Sequence, residues 1–228
     1  MESKTSSSPK PHKLRKRYTV DKKKKSDEKR KVFYYYDDPK KPILAGGIIL
    51  INKDKDDNYI FLQQQSNIEK KYNNQKLSDF GGKTEFSDKS IADTITREFN
   101  EETNYEFYIK NSRIKKGTSI SDKEFIHNAN EYVKKHVLSH IVKSIYVPKS
   151  KYLLFICYLP DRWKNKDYNF GEYESTDKIE REALWISIEQ FFGKYFKDKM
   201  IHPRLWNGEL LGFLTSLRKK RFGFSTEK

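Results

Sequence analysis

The sequence predicts an α/β domain in which helices cover both faces of a mixed β-sheet. Strand-like apolar segments alternate with segments of helical periodicity from residue 43 to residue 217. The glycine pair Gly81 and Gly82 ends a predicted strand and precedes a helix with separate apolar and acidic faces. A chain of 228 residues can form one domain with a sizeable core. Strands that alternate with helices favour three layers, with the sheet in the middle.

The predicted strands begin with a hairpin, and the next strand leads to the glycine pair. Six segments have the length and apolar content of strands: residues 43–51, 59–65, 76–80, 141–147, 152–159 and 183–186. Polar turns and loops are predicted at residues 54–58, 66–75, 148–150 and 161–177. After the helix that follows the glycine pair, further helices are predicted at residues 119–140, 188–192 and 205–219.

The positive charge is concentrated at the N-terminus. The formal net charge is +15, and residues 1–32 contain 13 Lys and Arg against 4 Asp and Glu, which gives +9 there and +6 for the remainder. This segment includes the runs KLRKR and KKKK and has too few apolar residues to offset the cost of ordering. We therefore expect a disordered basic tail at 1–32 and a folded domain at 33–228. The tail could contact nucleic acid, serve as a nuclear address, or only aid solubility.

The composition also excludes several classes of protein. No apolar run approaches the roughly 20 residues that span a bilayer, and the N-terminus lacks the apolar centre of a secretory signal. We therefore expect a soluble protein of the cytoplasm or nucleus without membrane contact.

The single cysteine, Cys157, cannot form an intrachain disulfide and is predicted to be a buried structural thiol. His136 and His140 lack the Glu of an H-E-x-x-H motif, which favours packing over zinc binding.

The helix after the glycine pair carries a dense group of carboxylates. Residues three and four apart share a helix face, so Glu98, Glu101 and Glu102 project together. The apolar stripe on a different face consists of Ile91, Ile95 and Phe99. Three carboxylates within about one turn repel one another unless a cation neutralises them. Oxygen-only ligands indicate Mg²⁺ or Mn²⁺, and the alternative interpretation is a solvated acidic face.

Residues 81–104 resemble the Nudix box, G-x5-E-x7-R-E-U-x-E-E-x-G-U, of enzymes that hydrolyse a nucleoside diphosphate linked to another group. The box aligns with this sequence at Gly82, Arg97, Glu98, Phe99, Glu101 and Glu102. Asp88 stands in place of the first Glu of the box, and one residue is inserted before Arg97. Asn104 replaces the closing glycine, and Asn is the other residue that readily takes a positive φ there. The resemblance implies a Nudix-type α/β/α sandwich.

The resemblance also implies a set of site residues. Metal ligands are expected from Glu98, Glu101, Glu102 and the carbonyl of Gly81, where no side chain obstructs the backbone. Glu101, Glu102 and Arg97 are the expected catalytic residues, and Arg97 is expected to orient a carboxylate of the box rather than to clamp phosphate. Lys83 is a weaker candidate for phosphate contact.

The general base is left open by the sequence. It could be a glutamate of the box or an acidic residue outside it. Glu182, just before Trp185, is the first candidate outside the box, with Glu180, Glu172 and Glu174 as competitors. Residues 110–140 lie where smaller members of the family have only a short connection. They are predicted to be a helical insertion that either packs against the domain or shapes the substrate pocket.

The implied activity is a metal-dependent pyrophosphohydrolase that acts on a nucleotide-containing substrate. Capped RNA is the first candidate, because the tail and the basic residues 218–221 supply phosphate contacts that a small nucleotide does not need. Free dinucleotides, nucleotide sugars, ADP-ribose and diphosphoinositol phosphates are the other candidates. The alternative is a catalytically silent Nudix-fold module that binds RNA or a nucleotide. The oligomeric state stays open.

Overall fold

The computed structural model describes residues 30–53, 57–66, 76–112, 121–159, 163, 168, 170 and 180–219. Most of the predicted basic tail lies outside the described residues. The same holds for the predicted loop 66–75 beyond its first residue, most of the predicted loop 161–177 with Glu172 and Glu174, and the basic end beyond residue 219.

A mixed β-sheet forms the centre of the described part of the chain. A short hairpin of β1 (Phe33–Tyr34) and β2 (Pro42–Ile43) precedes it. The sheet contains β3 (Ala45–Lys53), β4 (Asn58–Ser66), β5 (Leu77–Ser78), β6 (Phe80–Lys83), β7 (Ile141–Val147), β8 (Tyr152–Tyr158) and β9 (Glu180–Ser187). Strand β3 pairs in parallel with β8 and antiparallel with β4 and β6, and β9 pairs antiparallel with β4.

Helices lie on both faces of this sheet, as predicted. They are α1 (Ile91–Glu102), α2 (Glu106–Asn111), α3 (Asp122–His136), α4 (Ile188–Gln190) and α5 (Gly208–Lys219). Alternate residues of β3 separate the two faces. Ile48 and Leu50 join the core that contains Phe99 of α1, whereas Ile49 and Ile51 join the core that contains the leucines of α5. The three-layer α/β/α arrangement with a mixed sheet is therefore confirmed.

The strand before the glycine pair differs from the prediction. It is interrupted at Asp79, and β6 resumes at Phe80 and continues through both glycines to Lys83. Gly81 and Gly82 pair with Gly47 and Gly46 of β3, so four glycines face one another across two strands. The glycine pair is thus part of the sheet rather than a bend that leads away from it.

The helices also differ from the prediction in their bounds. Helix α2 was not predicted, because six residues are too few to show a helical period. Helix α5 begins at Gly208 rather than residue 205, because the Asn207 side chain accepts hydrogen bonds from the first helical amides. The predicted helix within the insertion is confirmed as α3, whose buried Phe125, Ala129 and Val133 pack it into the domain.

Two further sequence-based expectations can be compared with the described residues. Cys157 is a buried free thiol, and burial raises the pKa of that thiol. No helix among the described residues has the length and apolar character needed to cross a membrane.

Candidate active site at the glycine pair

Helix α1 places two glutamates against the glycine pair. A Cβ atom added to Gly82 would lie 2.3 Å from Oε2 of Glu98, so the Glu98 carboxylate occupies the space that any other residue would fill. One turn later, Oε2 of Glu102 accepts a hydrogen bond of 2.7 Å from the backbone N–H of Gly81. The start of α1 is fixed by a capping box of Ser90 and Asp93. Asn104 takes the expected positive φ of 51° just after it.

Arg97 stands at the centre of the acidic face. Its Nη1 donates a 2.6 Å hydrogen bond to Oε1 of Glu98, and Nε and Nη2 contact the two Asp88 oxygens at 3.3 Å each. Nη1 is also 3.3 Å from Oε1 of Glu85 and 3.6 Å from Oε2 of Glu101. Burial alone would lower the pKa of Arg97, but Glu98, Asp88 and Glu101 raise it well above its ordinary value. Arg97 therefore contacts the Glu98 and Asp88 carboxylates by direct hydrogen bonds.

The altered loop still supplies a buried carboxylate to Arg97. Asp88 accepts hydrogen bonds of 2.7 Å from the Thr94 hydroxyl and from the Glu85 backbone N–H, in addition to its fork-like contact with Arg97. Neither the shorter side chain at residue 88 nor the inserted residue removes this ion pair.

Glu102 is held from three directions by protein donors. Besides the Gly81 N–H, its Oε2 accepts a 2.7 Å hydrogen bond from Nε2 of Gln63 on β4. Its Oε1 lies 2.9 Å from Nη1 of Arg181 on β9. The side chains of Arg181 and Glu102 are only 8% and 3% exposed, so this ion pair is almost completely removed from solvent.

A second buried polar group lies beneath the glycine pair and is connected to Glu102. Nε2 of Gln63 also donates to the backbone carbonyl of Asp79 at 2.8 Å. The Asp79 carboxylate, which is fully buried, accepts a 2.6 Å hydrogen bond from the Tyr152 hydroxyl and pairs with Arg204. A Cβ added to Gly47 would lie 2.0 Å from that hydroxyl, so the network requires glycine there.

The structure does not bring Glu182 to the three glutamates. Glu182 is opposite Gln64, while its neighbours Arg181 and Ala183 are opposite Gln65 and Gln63. Successive strand residues point to opposite faces, so Glu182 lies on the face away from α1 and is exposed. Its place near the site is instead taken by Arg181. This corrects the expectation from the sequence, which did not include the strand register.

Two further candidates from the sequence, Lys83 and Glu180, lie on β6 and β9. The backbone carbonyl of Lys83 accepts a 2.9 Å hydrogen bond from Arg97, while its side chain is exposed. The backbone of Glu180 begins β9, and its side chain is outside the described part of the structure.

The residues that sequence reasoning missed come from several parts of the chain. Gln63 and Arg181 lie on β4 and β9, Asp79 lies at the break between β5 and β6, and Arg204 precedes α5, so these residues meet only in the folded domain. One of them has a sequence signal, because Asp79 is a carboxylate among the apolar residues that precede the glycine pair.

The donor set fits a divalent cation. Within the described residues, Arg97 contacts four carboxylates, those of Glu85, Asp88, Glu98 and Glu101, so several oxygen donors lie close together. Carboxylate and carbonyl oxygens are the donors that Mg²⁺ and Mn²⁺ prefer. No group of three His, Cys, Asp or Glu side chains among the described residues is already arranged around a common metal position.

Comparison with known proteins gives matches among solved structures. No protein-family model and no curated protein matches this sequence. A Caenorhabditis elegans Ap4A hydrolase is similar at 14% identity and a TM-score of 0.39, over 77% of this chain and 98% of its own. A NUDIX hydrolase from Alicyclobacillus acidocaldarius is similar at 12% identity and a TM-score of 0.44, over 77% and 90%. The NUDIX domain of Shewanella oneidensis NrtR, solved with ADP ribose, is similar at 11% identity and a TM-score of 0.37, over 79% and 88%. These matches concern the overall fold.

Proposed function

We propose that this chain is a Nudix-type pyrophosphohydrolase that uses Mg²⁺ or Mn²⁺ to cleave a nucleoside-diphosphate-linked substrate. One observation carries the proposal: the Glu98 carboxylate occupies the space that a side chain at Gly82 would fill, and the Glu102 carboxylate accepts a hydrogen bond from the backbone N–H of Gly81. A core helix has no need of buried carboxylates on its sheet-facing side, because removing a charge from water is costly. Arg97 and Arg181 already pair with these carboxylates, and we infer that a divalent cation shares the carboxylates with the two arginines.

The residues of α1 would share the work of the reaction. Glu98, Glu101, Glu102 and the Gly81 carbonyl would hold the metal, which would neutralise the diphosphate and lower the pKa of bound water. Arg97 keeps Glu98 in position through the 2.6 Å hydrogen bond. Glu101 is held less closely by Arg97, at 3.6 Å, and is the candidate to accept the proton of the attacking water.

The experiment is a panel of pyrophosphate substrates, incubated with Mg²⁺ or Mn²⁺ and analysed by product mass. The variants E98Q, E101Q and E102Q remove one carboxylate each with little change in shape. We expect each to lower kcat/KM by roughly 100-fold or more while circular dichroism shows a folded protein. E131Q is the matched control, since Glu131 is an exposed acid of α3. Full activity of E98Q and E102Q would refute the catalytic proposal and leave a binding module.

Capped RNA is the substrate that we propose within this class. Two contacts hold Lys31, near the end of the predicted basic tail, against the loop of the site. The Lys31 Nζ donates to the Asp88 carbonyl at 2.6 Å, and the Thr84 hydroxyl donates to the Lys31 carbonyl at 2.6 Å. The tail predicted to extend to residue 32 is therefore anchored by its last residues. An RNA that leaves the site would pass close to the point where the +9 segment joins the folded domain.

A further inference from the structure

Arg181 makes an ion pair with Glu102, one of the ligands of the proposed metal site. Its Nη1 is 2.9 Å from Oε1 of Glu102 and also donates to Oε1 of Gln63. The side chains of Arg181 and Glu102 are more than nine-tenths buried, so water screens their attraction little.

The two oxygens of Glu102 have different surroundings. Oε2 accepts hydrogen bonds from the Gly81 N–H and from Gln63, both of which hold the carboxylate at the glycine pair. Oε1 is the oxygen that faces Arg181. A cation that approaches Oε1 therefore meets the guanidinium, and two positive charges within a few ångströms of one buried carboxylate repel each other.

We propose that Arg181 and the divalent cation compete for Glu102, and that the guanidinium displaced by the cation binds a phosphate oxygen of the diphosphate substrate. This inference rests on the proposed function. A guanidinium is always charged, and its planar fork of N–H donors matches phosphate oxygens. Arg181 thus weakens metal binding in the free protein and strengthens substrate binding once the metal has bound. It is a substrate-binding residue that no feature of the sequence indicated.

The test is the Mn²⁺ affinity of the whole protein without substrate, measured by titration calorimetry or by the electron paramagnetic resonance signal of free Mn²⁺. We expect R181Q to bind Mn²⁺ roughly tenfold more tightly than the wild type, because the competing charge is gone. The same variant should bind a non-hydrolysable methylene analogue of ADP, in the presence of saturating Mn²⁺, roughly tenfold more weakly. K197Q is the control, because Lys197 is an exposed cation of the folded domain.

The outcomes separate the possible roles of Arg181. If R181Q binds Mn²⁺ with unchanged or lower affinity while the wild type binds it, Arg181 only supports Glu102, and this inference is overturned while the proposed function stands. If the wild type binds no Mn²⁺, both fall. Should R181Q fail to fold, R181K becomes the test. Its ammonium still competes with the metal but loses the fork, so Mn²⁺ affinity should stay within about twofold and analogue affinity should fall. Unchanged analogue affinity in R181K would overturn the inference.

Discussion

At the scale of single residues, Gly82 sets the position of the Glu98 carboxylate. A Cβ atom there would lie 2.3 Å from Oε2 and 2.4 Å from Cδ of Glu98, and both atoms belong to a flexible side chain that can move aside. We expect G82A to fold but to displace Glu98 and to lower kcat/KM by roughly 10- to 100-fold, since about 1 Å of misplacement can have such an effect. Steady-state kinetics on the best substrate of the panel, with thermal unfolding alongside, would measure both effects.

The control for this variant is G212A. A Cβ on Gly212, within α5, would meet nothing within 4 Å, so the same chemical change should leave kcat/KM unaltered and slightly stabilise the helix. G81A is unsuitable, because its Cβ would lie 2.3 Å from the backbone carbonyl oxygen of Gly46 and would disturb the sheet itself. Wild-type activity of G82A would show that the position of Glu98 is unimportant.

The site could be predicted from the sequence only where one helix contains it. The spacing of Glu98, Glu101 and Glu102 within α1 fixes their common face, and the structure places Glu98 and Glu102 at the glycine pair as that spacing implies. Gln63 lies on β4 and Arg181 lies on β9. Both reach the same point because the register of the two strands pairs Gln63 with Ala183, two residues from Arg181. Register depends on which strands meet in the folded sheet, so neither residue could be assigned beforehand.

At the scale of elements, the start of α1 determines how firmly the acidic helix is held. Asp93 accepts hydrogen bonds from the Ser90 backbone and hydroxyl, and it pairs with Lys134 of α3 at 2.6 Å. Burial would raise the pKa of the Asp93 carboxyl, but Lys134 and Ser90 lower it below the ordinary value of 3.8. A carboxylate with a lower pKa in the folded chain adds stability above its unfolded pKa, and this stability is lost as the pH falls through the folded pKa.

We therefore expect D93N to lower the free energy of unfolding by about 1 kcal/mol at pH 7. The difference from the wild type should shrink as the pH falls below 3.8, where the wild-type carboxyl also becomes neutral. Urea unfolding at a series of pH values measures this, and D122N on the exposed start of α3 serves as the comparison. A difference that is independent of pH would mean that the charge of Asp93 has no part in holding α1.

The elements that the sequence predicted are those with a long and regular period. Strand β3, strand β8 and helix α3 lie within or close to their predicted ranges, because each extends far enough for its apolar pattern to repeat. Helix α2 follows two consecutive residues with positive φ, Asn104 and Tyr105, which turn the chain and interrupt the pattern of α1. At the break, Asp79 contacts Tyr152 and Arg204, which are distant in sequence.

At the scale of the whole molecule, the polar network connects the two helical layers through the sheet. Arg204, in the segment that leads to α5, pairs with Asp79, and the Asp79 carbonyl accepts hydrogen bonds from Arg204 and Gln63. Gln63 then donates to Glu102 of α1. The C-terminal segment therefore helps to hold a glutamate of the site, although it is on the other side of the sheet. A buried network of this kind is stable only when each member keeps its partner.

The basic tail gives the last prediction, which concerns the substrate. If Lys22, Lys23, Lys24 and Lys25 contact the RNA chain, replacing all four with Gln should lower kcat/KM on capped RNA by roughly tenfold at low salt. The slope of log kcat/KM against log salt concentration should become less negative by up to about 3. Each lysine that contacts a phosphate of a single strand contributes about 0.7 to this slope. Hydrolysis of a small dinucleotide should not change, because its phosphates stay within the site.

The control replaces four exposed lysines of the folded domain with Gln, namely Lys123, Lys135, Lys149 and Lys197, and thus has the same net charge. If both variants lose kcat/KM on capped RNA equally, the effect comes from overall charge. If neither variant loses kcat/KM, the reason to prefer capped RNA over small nucleotides is gone.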